Sequence, residues 1–510
     1  MAAADRLSDL PDDLLRRILR FAPAKEGAAT AVLSRRWRWL WRTSGAVNLD
    51  TRSYDRAHVP DREAFLRHAA AALSATAAHG APVTRLSLHM EADHEYEIRT
   101  FVSPDGRYAE HDMISDVMAH TSARPVEELS ITAHCPSSNN NCIDGFYKLR
   151  IAALPHEAVQ VLHIVRAEFE LVMNKSAAYY FPQVTTLLLQ HCEVSLAELQ
   201  DIMNGAPLLT TLRLESIFLL LGRDEEDDDC SGNWIRGPEV TTLVMTDCQG
   251  FDPTEDSIEL DMPKLQYFTY AGLLSCQVWM KSQANFSNTR VLKLKLNCPI
   301  DNIAVVDMRS LDELLDNKLL YNLERLEVHG YYNPANNVAG IAIANLLHCC
   351  PIVCDLRLKI EEESRGTVYQ YPYVKCKNQQ DFDKSVINFR LRRGTSGGNH
   401  DKYEVSDIHG LSEHSFNCLQ SCLRRVCLQF RKEEVSLFAI QLVKFFAENA
   451  MVLEEMHIDD GNHKMCEHVN DKVQRWALNA AKRRNGVATK GFRVLPINGE
   501  RKIKVLKRVE

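Results

Sequence analysis

The phrase "VTTLLL" (184–189) is one copy of a short pattern that recurs along most of the chain. Each copy has an apolar residue, two variable residues and then an apolar-x-apolar pair. Twelve copies occur, among them "VTRLSL" (83–88), "LTTLRL" (209–214) and "LEEMHI" (453–458). Alternation of apolar and other residues over such a short run predicts a half-buried β-strand. The chain is therefore predicted to contain a long series of similar strands.

The spacing of the copies predicts a repeat. The fourth residues of three successive copies step by about 25 positions, within the 20 to 29 of a leucine-rich repeat; they are Leu162, Leu187 and Leu212. Three further residues stand where that repeat takes Asn or Cys to bond the backbone of its turn, namely Cys192, Cys248 and Asn297. Ordinary βαβ units are the alternative. The recurrent phrase favours an irregular leucine-rich-repeat solenoid over residues 81–417, of fold class α/β.

Several segments depart from the repeat. The Ala-rich segment 51–80 has a Pro-Asp pair before its alanines and closes at a glycine, which predicts a helical linker. The acidic stretch "GRDEEDDDCSG" (222–232) and the polar stretch 361–415 are interpreted as insertions. They are tolerated loops in the simplest interpretation, and carriers of specificity in the alternative one. Residues 483–510 form a basic tail that is predicted to be solvated.

Composition restricts the class of protein. Among 510 residues, 45% are hydrophobic and 25% are charged, which is typical of a soluble folded protein. The net charge of -8 argues against general nucleic-acid binding. The fifteen cysteines include no C-x-x-C pair, so reduced thiols in the cytoplasm and/or the nucleus are expected. Neither a signal peptide nor an apolar run of about eighteen residues occurs, so no membrane span is expected.

Residues 1–50 predict three short helices. Pro11 suits the first turn of the first helix, where its missing N–H has no cost. The apolar residues of that helix form two stripes, one with Leu10, Leu14, Ile18 and Phe21 and the other with Leu15 and Leu19. A second helix is predicted from Ala28 to Leu33, and Ser34 is predicted to be the N-cap of a third. So wide an apolar arc on so small a unit predicts a permanent protein partner.

The third predicted helix contains "RRWRWLWR" (35–42), in which three tryptophans alternate with arginines. Trp37, Leu40 and Trp41 fall at i, i+3 and i+4 and therefore share one face. The stretch is too short, and its flanking aspartates too acidic, for a nucleic-acid or membrane site to be favoured. Buried rings with a solubilising rim of arginines are the preferred interpretation.

The segment from Asp5 to Arg42 resembles the plant F-box motif, with its Leu-Pro at the first helix and its Ser-basic-basic-Trp followed by a second Trp. Ala22 and Gly27 depart from the pattern, because larger side chains often stand there. The resemblance implies that the segment docks on a Skp-type adaptor, which bridges to a cullin. The adaptor-binding residues that it implies are Leu10, Pro11, Leu15, Ile18, Leu33, Trp37 and Trp41. The region 418–482 resembles the FBD-type region that follows leucine-rich repeats in plant F-box proteins.

No catalytic or metal-binding motif is found. His348, Cys349, Cys350 and Cys354 suggest zinc, but no second ligand pair follows them at a zinc-site spacing. The same holds for the group Cys418, Cys422 and Cys427. No cofactor and no metal are therefore expected, and the chain is predicted to be a non-catalytic adaptor subunit of a ubiquitin ligase.

The target surface is the least defined part of this prediction. A target protein of unknown identity is expected to bind exposed strand and loop residues such as Thr185, Thr211 and Thr242, as stacked repeats commonly present such a surface. Two alternatives remain open. One is a solenoid receptor whose target binding needs a small ligand, and the other is a scaffold that acts without ubiquitin.

Overall fold

The structure is a computed structural model that describes part of the chain. The described residues are 9–54, 61–78, 80, 82–103, 112–136, 147–169, 181–220, 234–250, 259–272, 287–300, 320–332, 338–362, 380, 384, 404–429, 437–459, 472–473, 475–476 and 493–496. They form two compact units, Met1–Asp252 with Ile258–Met262 and Pro253–Ser257 with Pro263–Glu510. None of the described helices combines the length and apolar character needed to cross a bilayer.

The first unit begins with short helices. They are α1 (Asp12–Leu19), α2 (Ala24–Ala29), a 3₁₀ turn (Thr30–Val32) and α3 (Trp37–Leu40). Pro11 directly precedes α1, as predicted. The second helix begins four residues earlier than predicted, because the fixed φ of Pro23 starts a helix at the next residue. Ser34 does not cap α3: the helix begins after Arg36, and no side chain caps it.

The segment predicted as a linker contains α4 (Arg62–Ala77) and is packed into the first unit. Its buried residues, Phe65, Ala69, Leu73 and Thr76, follow one helical face. The Phe65 ring meets the Phe101 ring edge-on at 5.3 Å, and Ala75 packs against the core of the N-terminal helices. The segment is thus helical over Arg62–Ala77, and its buried face packs on its neighbours. The domain boundaries themselves stay predictions.

The strands of the first unit are arranged in parallel ladders. They are β1 (Ala46–Asp50), β2 (Arg85–Glu91), β3 (Glu128–His134), β4 (Tyr147–Leu149), β5 (Val161–Val165), β6 (Ala167–Phe169), β7 (Thr186–Gln190), β8 (Glu193–Ser195), β9 (Thr211–Glu215), β10 (Phe218–Leu220), β11 (Trp234–Arg236), β12 (Thr242–Thr246) and β13 (Glu259–Asp261). The main ladder has the order β1, β2, β3, β5, β7, β9, β12. A second ladder has the order β10, β8, β6, β4, and β11 pairs with β13. Three further helices, α5 (Glu95–Val102), α6 (Met113–Met118) and α7 (Leu196–Asn204), lie between strands along the chain.

The register of the main ladder confirms that each copy of the repeated phrase in this unit is a strand. The fourth residues of the six copies in this unit pair with one another across neighbouring strands, and all are buried: Leu86, Leu129, Leu162, Leu187, Leu212 and Leu243. Parallel strands buried in this way require their connections to run outside the ladder. The first strand, β1, contains no copy of the phrase and was missed by the sequence analysis.

A turn of unusual conformation follows four of these strands. One residue after β5, β7, β9 and β12 the backbone has a positive φ of 51° to 61°, at Arg166, His191, Ser216 and Asp247. The next residue is a cysteine at Cys192 and Cys248, as predicted for the turn position. The Cys192 thiol donates to the Ile164 and Gln190 carbonyls at 3.6 and 3.3 Å. Asn297 does not play this role, because it is an exposed residue within a strand.

The second unit has the same organisation. Its strands are β14 (Tyr267–Gly272), β15 (Val291–Pro299), β16 (Arg325–Tyr332), β17 (Asp355–Glu362), β18 (Arg425–Gln429), β19 (Glu455–Asp459) and β20 (Arg493–Pro496), paired in parallel in that order. The helices α8 (Ala339–Cys349), α9 (Asn417–Ser421) and α10 (Leu437–Asn449) precede β17, β18 and β19. The remaining six copies of the phrase are β14 to β19.

Two predicted segments need correction or fall outside the description. The basic tail is not wholly solvated, because β20 lies within it and pairs Val494 with Met456 of β19. The insertion 222–232 lies outside the described residues, as does most of the insertion 361–415. The described end of the second insertion is packed into the second unit, since Lys444 of α10 donates to the Val405 carbonyl at 2.7 Å.

Candidate functional site

The N-terminal helices close a small core of their own. It is formed by Leu15, Leu19, Trp37, Leu40 and Trp41, with Leu10, Ala22, Ala28 and Ala75 packed around it. Leu15 and Leu19 belong to one of the two stripes predicted on α1. The core therefore explains why this stripe and the face shared by the tryptophans are apolar.

Gly27 fits the close packing of α2 on this core. A Cβ atom at Gly27 would lie 3.5 Å from the Cβ of Trp41, an ordinary van der Waals contact. The glycine that departs from the F-box pattern therefore stands where α2 approaches Trp41 of the core.

The other stripe of α1 is exposed except for Leu10, and so are apolar residues of the following turn and of α3. The exposed members are Leu14, Ile18, Phe21, Val32, Leu33 and Trp39, and we call them the exposed apolar set. Val32 is 89% exposed and Leu33 is 71% exposed. The 3₁₀ turn contacts α3, and α3 contacts α1. So many large apolar side chains on neighbouring short elements indicate a protein-binding surface.

The seven residues predicted to bind an adaptor divide between the core and the surface. Leu15, Trp37 and Trp41 are buried, and Leu10 is half-buried against the same core. Pro11, Ile18 and Leu33 are exposed. The structure leaves the adaptor-binding role of all seven as a prediction. The predicted adaptor-binding residues did not include Leu14, Phe21, Val32 or Trp39. The helical periodicity of the sequence nevertheless showed the stripe that contains Leu14 and Phe21.

The arginines of "RRWRWLWR" have distinct neighbours. Arg36 donates through Nε to the Asp12 carboxylate at 2.7 Å and through Nη2 to the Leu10 carbonyl, so it joins α3 to the start of α1. The Arg42 guanidinium carbon lies 5.4 Å from the centroid of the Trp39 ring, a cation–π distance. Arg35 and Arg38 are exposed. Arg35 and Arg38 thus form the predicted solvent-facing rim, whereas Arg36 and Arg42 are engaged by neighbouring groups. Two of the three tryptophan rings are buried, and Trp39 is 49% exposed.

The helices are fixed to the main ladder at β1. The Asn48 side-chain amide donates to the carbonyls of Arg20 and Ala22, at 2.9 and 2.8 Å, and so satisfies carbonyls just beyond the end of α1. The Asn48 Oδ1 atom accepts from the Ser87 hydroxyl of β2 at 2.7 Å. Arg20 forms an ion pair with Glu128 of β3 at 3.1 Å. The N-terminal helices are thus continuous with the first unit and are not a separate body.

The face of the main ladder turned away from the core carries a chain of polar side chains. His163 contacts the Ser130 hydroxyl through Nδ1 at 3.2 Å and Gln190 through Nε2 at 3.1 Å. Gln190 donates to Glu215 at 2.6 Å, and Arg213 pairs with Glu215 at 2.9 Å. Burial lowers the pKa of His163 below its ordinary 6.5, although the hydrogen bond to Gln190 opposes the shift. The imidazole therefore favours its neutral form in this network.

The three threonines predicted for a target surface are half-buried rather than fully exposed. The Thr185 hydroxyl donates to the Gln160 carbonyl at 3.2 Å, so the hydroxyl is already used within the ladder. The same bond recurs one and two repeats later, where Thr210 and Thr241 donate to carbonyls of the preceding strand segment. Thr211 and Thr242 lie opposite each other on β9 and β12. A target-binding role for the three stays a prediction.

The cysteines suggest neither a metal site nor a nucleophile. Among the described residues no group of three or more His, Cys, Asp or Glu side chains could hold a metal ion. Burial raises the pKa of the Cys349 thiol to about 11 and that of Cys418 to about 12. The Cys350 thiol has a pKa well above the ordinary 9.0 for the same reason. Such thiols are protonated at neutral pH and are poor nucleophiles.

A cavity of about 350 Å³ lies beside the N-terminal helices. Its walls include Trp41, Leu49 and Phe65 with several alanines of α2 and α4. Two polar residues of its lining contact each other, since the Tyr54 hydroxyl lies 2.9 Å from His68 Nδ1. The volume is at the lower end of the range for ligand pockets. The cavity is next to the helices, whereas the ligand-receptor alternative places its ligand on the repeats.

Comparison with known proteins agrees with this description. The F-box domain profile matches residues 7–45. An FBD-associated F-box protein of Arabidopsis thaliana is 52% identical over 48 residues, which are 9% of this chain and 26% of that protein. An F-box/FBD/LRR-repeat protein of the same plant is 49% identical over 51 residues, 10% of this chain and 12% of that protein. Another FBD-associated F-box protein is 22% identical over 414 residues, 78% of this chain and 82% of that protein.

The chain therefore carries an F-box domain at its N-terminus. Its homologues are F-box, FBD and leucine-rich-repeat proteins of Arabidopsis thaliana, so the resemblance to a plant F-box protein is confirmed. The two matches of higher identity cover 9% and 10% of this chain and only 26% and 12% of the first two relatives' length. The long match has low identity, and it extends the similarity over most of the chain.

Proposed function

We propose that the protein is the substrate-recognition subunit of an SCF-type ubiquitin ligase, in which the F-box binds a Skp-type adaptor and the repeats bind a target protein. F-box domains generally bind Skp1-type adaptors. The observation that carries the proposal is the exposed apolar set on helices whose core is already closed. A closed core does not need this surface, so a partner is the better explanation of its apolar character.

The geometry divides the F-box residues into two roles in this proposal. The buried side chains, Leu15, Trp37 and Trp41, hold the helices in place. The exposed apolar set, with Ile18 and Leu33 among the residues implied by the family resemblance, contacts the adaptor. Burying these six side chains supplies a gross free energy on the order of 5–10 kcal/mol, from which the entropy of association is subtracted.

The repeats supply the target surface in this proposal. The parallel ladders are proposed to form a leucine-rich-repeat solenoid that displays the outward side chains of its strands. The adaptor would connect to a cullin that carries the ubiquitin-transferring machinery, and the target would be held close to it. Transfer then becomes effectively intramolecular, which accelerates it without any catalytic group in this chain. The raised pKa of Cys349 and Cys418 supports a non-catalytic role.

Affinity purification of the tagged full-length chain from plant cells tests the proposal, with and without a proteasome inhibitor. We expect a Skp-type adaptor and a cullin to co-purify, and a target to accumulate with the inhibitor. Leu33→Asp should lose the adaptor, whereas Leu208→Asp, a change at another exposed leucine of the same unit, should retain it. Absence of the adaptor from the wild-type purification would instead favour a ubiquitin-independent scaffold.

A ligand-dependent receptor is the second candidate function, and its ligand would lie on the repeats rather than in the cavity beside the F-box. Target capture that requires an added small-molecule extract would support this candidate. The protein is proposed to act in the cytoplasm and/or the nucleus, where the ubiquitin system works on folded proteins, and imaging of a fluorescent fusion tests this location.

A further inference from the structure

The outward face of β15 to β18 in the second unit differs in charge from that of the main ladder in the first unit, and the next strand of the second unit, β19, adds Glu455 to its face. On β15 to β18 the outward face carries six bases and three acids, which are Lys293, Lys295, Arg325, Arg357, Lys359 and Arg425 against Glu327, Asp355 and Glu361. The same face of the main ladder in the first unit carries two bases and four acids, which are Arg85 and Arg213 against Asp50, Glu91, Glu128 and Glu215. The basic excess is thus local, in a chain whose net charge is -8.

Part of this positive charge is held by a buried carboxylate. Asp355 is almost fully buried, and its Oδ2 atom lies 2.9 Å from Arg325, 3.2 Å from Arg357 and 3.6 Å from Arg425. One carboxylate therefore faces three guanidinium groups. Glu455 pairs with Arg425 at 3.1 Å. These contacts hold the three arginines in place and leave a net positive charge on them. We call Arg325, Arg357 and Arg425 the arginine platform.

Beside this platform runs a row of two lysines with a histidine between them. The backbone pairs Lys295 of β15 with His329 of β16, and His329 with Lys359 of β17. Within the described residues neither Lys295 nor Lys359 has a hydrogen-bond or ion-pair partner. His329 contacts Glu327 at 3.0 Å. Adjacent strands are about 4.8 Å apart, so the two lysine backbones are separated by about 10 Å.

We propose that the row Lys295, His329 and Lys359, with Arg357 beside it, is the docking surface for a short Asp/Glu-rich segment of a target protein. The inference rests on the proposed function, because it names the chemistry of the target. Charge complementarity is its basis: two ammonium groups with no partner among the described residues, and a nearby guanidinium, attract carboxylates. The four strands span roughly 14 Å, which matches about four or five residues of an extended chain.

A nucleic acid fits this surface less well. A protein that binds a duplex by its phosphates commonly neutralises six to ten of them over a long path. The basic face is only four strands wide, and the next strand of the same unit, β19, carries Glu455 opposite Arg425. A short peptide can bind the basic strands alone, whereas a long polyanion needs a longer basic path.

The test measures binding of a fluorescein-labelled peptide with about five consecutive glutamates, the length that spans the four strands. The protein is the full-length chain co-purified with its adaptor, and fluorescence anisotropy is read at about 50 mM salt. The Lys295→Gln/Lys359→Gln variant removes the two ammonium charges. The matched control is Arg67→Gln/Arg124→Gln, which removes two exposed charges from the first unit. Thermal melts verify that both variants fold.

We expect the Lys295→Gln/Lys359→Gln variant to bind the peptide about tenfold more weakly and the control to bind it like the wild type. Equal weakening of both variants, or no binding by the wild type, overturns the inference. Tighter binding of a phosphoserine peptide or an oligonucleotide with the same variant dependence also overturns it. Co-purification of the adaptor with every variant separates these outcomes from failure of the proposed function.

Discussion

Truncation of the most exposed apolar side chains of the F-box, Val32→Ala with Leu33→Ala, should weaken adaptor binding much more than it weakens the fold. Val32 and Leu33 are 89% and 71% exposed, so a partner can bury most of each side chain. Val→Ala removes two carbons and Leu→Ala removes three, and each buried carbon contributes about 0.8 kcal/mol. In proportion to exposure, the loss in docking is about 3 kcal/mol, or roughly 100- to 200-fold in Kd.

The effect on the free energy of unfolding should be smaller. By the same reasoning, the parts of Val32 and Leu33 that are already covered by this chain contribute about 1 kcal/mol together. Trp37→Ala is the contrasting change, because Trp37 is only 8% exposed. Its truncation should cost about 3–5 kcal/mol of folding free energy. The two changes therefore separate the docking surface from the core beneath it.

The assay combines titration calorimetry with a purified Skp-type adaptor and urea unfolding of the free chain. Arg35→Ala with Arg38→Ala is the charge control, and it should change the affinity by less than about tenfold, since both side chains are exposed. High salt should leave the wild-type affinity nearly unchanged. Loss of binding in the arginine variant but not in the Val32/Leu33 variant would refute the assignment of the docking surface to apolar residues.

Three further predictions concern the fold. Asn48→Ala removes both donors to the end of α1 and should lower the free energy of unfolding by about 1–3 kcal/mol in urea titrations, whereas Ser87→Ala, which leaves those donors in place, should cost less; equal costs would contradict the role of the amide. Burial lowers the pKa of His163, His191, His329 and His348. Because these histidines have a lower pKa in the folded chain, the unfolded chain takes up protons first as the pH falls. The free energy of unfolding is therefore highest above pH 6.5 and decreases between pH 6.5 and the lower pKa values of the folded chain. Melting temperatures should therefore decrease from pH 7 to pH 5, and His163→Gln should reduce the slope; a flat profile would contradict the burial argument. Thiol titration under denaturing, non-reducing conditions should find all fifteen cysteines reduced, as are the ten in the described residues; any stoichiometric deficit would show a disulfide.

The sequence predicted the strands well because the pattern that defines them is local. In each copy of the phrase the apolar-x-apolar pair faces the core, and the pairing of Leu187 with Leu162 and Leu212 follows directly from this burial. The strands β1 and β20 were missed because "AVNLD" (46–50) and "RVLP" (493–496) carry only part of the phrase. The six short strands β4, β6, β8, β10, β11 and β13 contain no copy of it and were missed as well. Their inclusion depends on pairing with a neighbouring strand, which the local pattern does not contain.

The candidate site was predicted less completely, and the reason is tertiary. Helical periodicity showed two stripes on α1, but it could not show which of them the rest of the chain covers. Leu15 is buried because the α3 tryptophans and Ala75 of a later helix pack there. Ile18 is left exposed because no described residue of the first unit covers it fully. The family resemblance implied one role for Trp37 and Leu33, whereas the structure buries Trp37 and exposes Leu33.

The attachment of the F-box to β1 through Asn48 has a consequence for how a bound target would be presented. A flexible tether between two binding modules lowers the effective concentration of one near the other as its length grows. The F-box here has no such tether to the first unit, because β1 begins at Ala46, directly after the matched residues 7–45, and Arg20 is paired with Glu128 of β3. The direction and distance from an adaptor to these strands are fixed by the fold. The target lysine that is modified would be determined by where the target binds on the ladder, rather than by the movement of a flexible tether.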